Sequence, residues 1–373
     1  MSKIMRALGL MSGTSLDGID VALVETDGGM RVTRGPSLMV SYDATTRQQL
    51  AQALEDGRAL TGRNARPGVL AAAERRLTEL HAAAVSEFLR THAVAGSSID
   101  VIGFHGQTVL HRPDAGLTVQ LGDGQLLADI TRCQVVFDMR AADVAAGGQG
   151  APLVPIYHLA LTANRPERPL AIVNIGGVAN VTWIGRDGRL IAFDTGPGNA
   201  LIDDWMLKRS NHTFDDGGAW AARGRTEDEI LHGYLNHAYF SASPPKSLDR
   251  NAFADNSVEH LSAEDGAATL TAFTASAIAK AREHMPEEPA LWIVAGGGRR
   301  NRTLMRMLAE RVQNAVIPSE AAGLDGDSLE AEAWAYLAVR SLRGLPLTFP
   351  GTTGVANPLT GGVVVLPKSP LVH

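Results

Sequence analysis

Cysteine is almost missing from this chain of 373 residues: Cys133 stands alone. A single thiol excludes internal disulfides and any cysteine-built zinc cluster, and it suits a reducing compartment. Its own expected place is the core, as a small hydrophobe. An excess of positive charge is missing too, since 34 Lys and Arg stand against 40 Asp and Glu, for a net charge of −6. Both signs are interspersed, so there is no basic face for nucleic acid and no polybasic run for anionic lipid. No apolar run is long enough to cross a bilayer. Near the start, Arg6 interrupts a very short apolar run with no cleavage-like region after it, so no signal peptide is read there. These absences predict a cytoplasmic protein with a small-molecule partner, no nucleic acid and no membrane.

What is present is apolar material, 45 % of the residues, ample for two domains with separate cores. The densest local signal is Gly9-Leu10-Met11-Ser12-Gly13-Thr14-Ser15-Leu16-Asp17-Gly18-Ile19-Asp20. Small residues between two apolar, strand-like runs expose backbone N–H groups and hydroxyls, as a phosphate cradle does. The Lys-Ser/Thr of a P-loop is absent and a strand, not a helix, follows.

Strand-like segments are expected at about 5–11, 19–26, 30–41 and 99–104, with shorter elements at 118–122, 126–130 and 134–137. Leu70, Ala73, Leu77, Leu80, Ala84 and Phe88 recur at helical spacing, which predicts a helix near 67–92. The Gly- and Pro-rich run Ala145 to Pro155 fits neither helix nor strand, and a domain boundary is placed just before it. Beyond it the opening pattern repeats: a strand at 170–175, the turn Gly176-Gly177, and a strand at 181–184. A third glycine turn, Gly296-Gly297-Gly298, lies between the strand 291–295 and an amphipathic helix marked by Leu304, Met307, Leu308 and Val312. A last helix is expected from about 328 to 342. The expected domains are 1–137 and 138–344, with the tail 345–373 packing back on the first.

Three glycine turns in this order resemble the actin, heat-shock-70 and sugar-kinase superfamily. That resemblance implies an α/β fold of two duplicated ribonuclease-H-like domains, with mixed sheets flanked by helices and an ATP cleft between them. It implies nucleotide contacts from Ser12, Gly13, Thr14, Ser15, Leu16, Asp17 and Gly18, from Gly176 and Gly177, and from Gly296, Gly297 and Gly298.

Fold alone does not set the chemistry. Asp194 is the candidate general base: it follows the strand-like 190–193 and precedes Thr195-Gly196-Pro197-Gly198-Asn199, a sharp turn into a helix whose dipole favours the carboxylate. Longer blocks sharpen the resemblance: Gly9 to Gly18, Gly103-Phe104-His105-Gly106-Gln107-Thr108, Asp143 to Pro155, Asn174 to Gly177, and Phe193 to Asn199. Together they resemble the anhydro-N-acetylmuramic acid kinase family over nearly the whole chain. The resemblance implies that 1,6-anhydro-N-acetylmuramic acid, ATP and water give N-acetylmuramic acid 6-phosphate and ADP, in cell-wall recycling, with Mg²⁺ on the nucleotide and a homodimer as the assembly.

It implies further that Asp194 is catalytic, that Glu330 orients water or a sugar hydroxyl, and that Gln107 and Thr108, on a turn, contact the sugar. Arg140 and Asp143, which sit where the family has a basic cluster, are implied as substrate-binding too, although Ala141 and Ala142 depart from that pattern. The lactyl carboxylate calls for a cation or N–H donors, with Arg140, Lys246 and Arg250 as candidates. His105 is expected to be a structural hydrogen bonder. Asp17 and Asp20 are expected to reach Mg²⁺ through waters, and no residue is read as a direct metal ligand. Two other readings remain open: a kinase of the same superfamily with another substrate, and a non-enzymatic ATP-driven binding protein.

Overall fold

One strand order occurs twice in the computed structural model, which describes residues 3–13, 15–248, 252–253 and 257–369. The chain forms two compact units, Met1–Ala163 with Ser328–His373, and Asn164–Asp327.

In the first unit, β1 (Met5–Met11), β2 (Gly18–Thr26) and β3 (Val32–Ser41) run antiparallel in sequence. On the other side of β1, β4 (Val101–Phe104) lies parallel to it, and β7 (Val135–Phe137) parallel to β4. A separate hairpin is built from β5 (Gln107–Arg112) and β6 (Leu117–Leu121). From the tail, β13 (Val363–Val365) pairs antiparallel with β7.

Alternation along β1 sends Leu8 and Leu10 to one face and Gly9 to the other. The leucines meet helix α2 (Leu70–Thr91), whose Leu70, Ala73, Leu77, Ala84 and Phe88 form one buried stripe. Helix α1 (Ala44–Gly57) starts at Asp43, whose carboxylate accepts the Thr46 N–H at 2.6 Å. The second face carries α10 (Leu329–Leu342), which packs on β1, β2 and β4. Gly9 and Gly103 are register partners. A Cβ on Gly9 would stand 1.7 Å from the Ala331 carbonyl oxygen, and one on Gly103 2.0 Å from that of Trp334. Two adjacent glycines thus let a helix lie directly on the sheet backbone. Helices α3 (Gly124–Thr131), α4 (Ala141–Ala145), α5 (Pro155–Leu161) and α11 (Pro350–Thr353) complete this unit.

The second unit repeats the plan. Strands β8 (Leu170–Ile175), β9 (Val178–Ile184) and β10 (Leu190–Pro197) are antiparallel, with β11 (Leu291–Ala295) parallel to β8 and β12 (Ala315–Pro318) parallel to β11. Its helices are α6 (Ala200–Ser210), α7 (Asp228–Leu235), α8 (Ala263–Lys280) and α9 (Arg302–Val312). Both units therefore carry the order 3-2-1-4-5 in mixed sheets flanked by helices, the duplicated ribonuclease-H-like α/β plan.

Domain bounds depart from the expected 1–137 and 138–344. Residues 138–163 and the helix after 328 belong to the first unit. The Gly- and Pro-rich run is no linker, because Asp143 accepts the Gly150 N–H at 2.6 Å and the Thr353 hydroxyl at 2.6 Å, and the Gln149 N–H reaches the Thr353 carbonyl at 2.7 Å. Tyr157 on α5 donates to Glu332 on α10, at 2.8 Å. Leu126 to Ile130, expected among short elements, lies in helix α3. Gln107 and Thr108 open a strand instead of lying in a turn.

Candidate functional site

Parallel strands in open α/β sheets offer ligands the space beyond their carboxyl ends. In the first unit those ends are Ser12 after β1, His105 to Gln107 after β4, and Asp138 to Arg140 after β7. Ser12 is buried: its hydroxyl donates to Gln107 Oε1 at 2.7 Å and lies 2.8 Å from the Tyr42 hydroxyl. Its side chain is thus turned from the turn's outer face. Gln107 is fully buried, and its Nε2 has no partner among the described residues. Thr108 accepts from Gln120 Nε2 at 3.2 Å.

The outer turn is shaped by Asp17, whose Oδ1 accepts from Ser15 Oγ (2.7 Å) and the Gly18 N–H (3.1 Å). Leu16 adopts φ +55°, a left-handed strain that a non-glycine residue carries when its surroundings dictate the turn. Gly18 belongs to β2 and admits no Cβ because Val40 O would lie 2.4 Å away. Its glycine requirement therefore comes from the sheet rather than from a nucleotide. Thr14 lies outside the described residues.

Arg140 spreads under α10. It donates from Nη1 to the Gly150 carbonyl (2.9 Å) and from Nη2 to His105 Nε2 (3.2 Å), and its guanidinium lies 5.1 Å from the Trp334 ring centre. Burial lowers Arg140 to about 10, with the charges of Glu330 and Asp143 opposing that fall. His105 packs against Trp334 at 4.6 Å, and burial, with the Arg140 charge, holds it neutral, well below the usual range. Its Nε2 acts as an acceptor here. Glu330 occupies the first turn of α10. Asp143, a candidate substrate contact, has both oxygens engaged in fixing the loop 148–150 and Thr353.

In the second unit the turn Gly176-Gly177 offers carbonyls to the segment after β10: Gly198 N–H to Gly177 O at 2.9 Å and Asn199 N–H to Gly176 O at 2.7 Å. Asn199 Nδ2 donates to Ile175 O at 3.1 Å. Gly296 has φ +73° and packs on Asn174, while a Cβ on Gly298 would meet Ile175 Cγ2 at 2.4 Å. The third turn continues as a 3-10 turn, Gly297–Arg300, and α9 follows with Asn301 as its cap. Beside it lies a cavity of about 380 Å³, lined by Asn199, Phe214, Asp216, Gly297, Arg300 and Asn301 among others.

Asp194 sits inside β10, not at its end, where the register with β9 shifts between Asp194 and Gly196. That bulge re-aims its side chain. Its Oδ2 accepts the Leu248 N–H at 2.8 Å, the one hydrogen bond to its carboxylate among the described residues. Burial pushes the carboxyl up to about 6, the Leu248 bond opposing the rise. The expected helix-dipole bias is therefore outweighed by desolvation, yet the group is still mostly ionised at neutral pH. Lys246, a candidate for the lactyl group, directs its ammonium to the Tyr239 (3.0 Å) and Phe240 (3.4 Å) carbonyls. Arg250 lies outside the described residues. Tyr42, Trp334, Tyr239 and the Leu248 N–H were missed in the sequence: they stand outside every motif, and only the fold brings them in.

Among the described residues, no group of three or more His, Cys, Asp or Glu could hold a metal ion. No described helix is long and apolar enough to cross a membrane.

Residues 5–367 match the family model "Anhydro-N-acetylmuramic acid kinase". Curated proteins of that name are similar over their whole lengths. One from Rhizobium johnstonii is 54 % identical over 98 % of this chain and 100 % of its own. Another from Azorhizobium caulinodans is 55 % identical over 97 % and 100 %, and one from Agrobacterium fabrum 53 % over 98 % and 100 %. With its glycine turns, its bulge-borne aspartate and this likeness along its length, the chain belongs to the anhydro-N-acetylmuramic acid kinase family.

Proposed function

We propose that this chain is an ATP-dependent kinase that opens 1,6-anhydro-N-acetylmuramic acid with water and phosphorylates O6, giving N-acetylmuramic acid 6-phosphate and ADP, and that Asp194 is its general base. In the anhydro sugar O6 is tied to C1 and carries no proton, so a base acting on the acceptor hydroxyl has nothing to remove. Water supplies the proton instead. Asp194 takes it as the water oxygen bonds to C1; the C1–O6 bond breaks, O6 bonds to the γ-phosphorus, and the β,γ-bridging oxygen leaves with ADP. The observation that carries this reading is a carboxylate that burial raises to about 6 and a single N–H steadies. A base near that value is ionised at neutral pH and still accepts a proton readily.

Other roles follow by position. Gln107 Nε2, buried and without a partner among the described residues, suits a sugar oxygen, and Thr108 neighbours it. Arg140 and Glu330 lie close enough to influence each other's charge, and the pair orients the sugar end and the water. Backbone of Gly13 and Ser15 to Asp17, with Gly176, Gly177 and Gly296 to Gly298, contacts the nucleotide, and the cavity beside Gly297 takes the adenosine. For Mg²⁺, the exposed Asp17 suits a contact through water, the ion keeping several waters and meeting the phosphates. When bound, the ion neutralises charge on the transferring phosphoryl group. The scarcity of cysteine supports a cytoplasmic location, and the family resemblance supports a homodimer.

The test is turnover in ¹⁸O-labelled water with Mg-ATP. Label at C1 of the phosphorylated sugar is expected, with Asp194→Asn slowing the reaction by about 10²–10⁴-fold. Unlabelled phosphosugar would overturn the water step, and a fully active variant would overturn the base.

A further inference from the structure

Around Asp194 the second unit builds a frame that no motif announces. The Asp194 N–H donates to the Lys246 carbonyl at 3.1 Å, and Leu248, two residues on, returns its own N–H to Oδ2. From the 3-10 turn Ala238–Ser241, the Tyr239 hydroxyl donates to the Asp194 carbonyl oxygen at 2.5 Å. Lys246 closes the ring through its two carbonyl acceptors, its ammonium lying 4.8 Å from the Tyr239 ring centre and 5.6 Å from that of Phe193. Residues 239–240 and 246–248 are thereby fastened to each other and to the strand residue that carries the carboxylate.

Leu248 stands on irregular backbone, outside any strand or helix, so no ladder keeps its N–H on Oδ2. The frame does. Holding an ammonium against two rings and two carbonyls costs solvation, and burial lowers Lys246 to about 8. A half-buried lysine engaged in this way is poorly placed to meet a substrate carboxylate.

We propose that Tyr239 and Lys246 are positioning residues for Asp194, holding the Leu248 N–H on Oδ2 so that the carboxylate is fixed in one rotamer and Oδ1 faces the water. This rests on Asp194 being the base. Among the described residues, the titratable groups around the frame are Tyr239, Lys246 and His284, whose Nε2 lies 3.2 Å from Lys246 Nζ, with Glu283 and Lys280 acting on Lys246; β9 places the neutral Asn180 opposite Asp194.

Steady-state kinetics across pH test the proposal on full-length Lys246→Met, Lys246→Arg and Tyr239→Phe, with Asp194→Asn alongside and melting temperatures measured for each. Loss of the Leu248 bond removes the interaction that favours the carboxylate, so the acidic limb of kcat/KM moves upward. Lys246→Met is expected to lower kcat by about ten- to a hundredfold, with KM for sugar and ATP nearly unchanged and the limb moved up. Tyr239→Phe, which alters no charge, moves it the same way by less, and Lys246→Arg restores most of kcat and the wild-type limb. An unmoved limb in both Lys246→Met and Tyr239→Phe overturns the proposal, whether kcat is kept or falls with stability. A raised sugar KM at unchanged kcat also overturns it and returns Lys246 to the substrate. If Asp194→Asn retains turnover, the reading of the base fails; if it is inactive while the other variants match wild type, the frame alone fails.

Discussion

The two units share a strand order and differ in what they do with the middle of the sheet. In the first, the central pair β1 and β4 places Gly9 opposite Gly103, and α10 lies on bare backbone. In the second, β8 and β11 pair Ile172 with Ile293 and Val173 with Val294, so the central pair carries side chains on both faces. The polar groups differ in the same sense. Ser12, Gln107, Asp143 and His105 are tied to one another or to nearby loops, whereas Asp194 keeps one described hydrogen bond to its carboxylate. A repeated fold thus yields one unit whose polar groups are engaged by internal hydrogen bonds, and another that holds a sparsely bonded carboxylate at a cost in solvation.

A single methyl breaks that comparison most sharply. Gly9→Ala would set a carbon 1.7 Å from the Ala331 carbonyl oxygen and 2.5 Å from the Ala335 nitrogen, so α10 must lift from the sheet. A loss of more than about 4 kcal/mol is expected. Removing a methyl at the matching depth of the second sheet, Ile293→Val, is expected to cost about 1 kcal/mol. Urea unfolding with a probe in each unit checks both; equal losses would show that the close approach of α10 carries no special weight.

Glycines in a strand are where the sequence spoke plainly without revealing why. The apolar run of β1, the stripe of α2 and the strands 170–175 and 291–295 were legible because each is a continuous or helically spaced set of apolar residues that the fold buries. Gly9 and Gly103 read as parts of motifs, yet the helix that requires them arrives more than two hundred residues later. The Ala145 to Pro155 run misled for the opposite reason: glycine and proline signal irregular backbone, and irregular backbone pinned by Asp143 looks like a linker until Thr353 is in view. At the site, Asp194 was legible as a polar residue beside a glycine turn. Its bulge, its desolvation and the Leu248 donor were not, since each depends on residues remote in sequence.

Desolvation of Asp194 has a consequence for stability. Its carboxyl rises from the ordinary 3.8 to about 6 on folding, so between those values the folded state binds more protons and stability falls as pH rises. Above pH 6 the full penalty is present. Asp194→Asn removes it and is expected to stabilise the protein at pH 7 by up to about 3 kcal/mol, the gain fading as pH drops toward 4. Differential melting of wild type and variant across that range checks the sign. A gain independent of pH would show that the burial of charge is not its source. In the first unit the sign is opposite: burial holds His105 neutral, well below the usual range, so the unfolded chain binds the proton first and stability falls as pH drops below about 6.5.

Asp143 supplies the counterpart. Its oxygens accept an N–H and a hydroxyl across the chain, so Asp143→Ala leaves both donors without an acceptor. About 2 kcal/mol of stability is expected to go with them. Because the carboxylate is engaged within the fold, kcat should stay within a few-fold of wild type while the sugar KM rises as the 148–150 loop loosens beside Arg140. The same loss of stability with kcat abolished would place Asp143 in the chemistry and erase the contrast between a carboxylate engaged by the fold and the sparsely bonded Asp194.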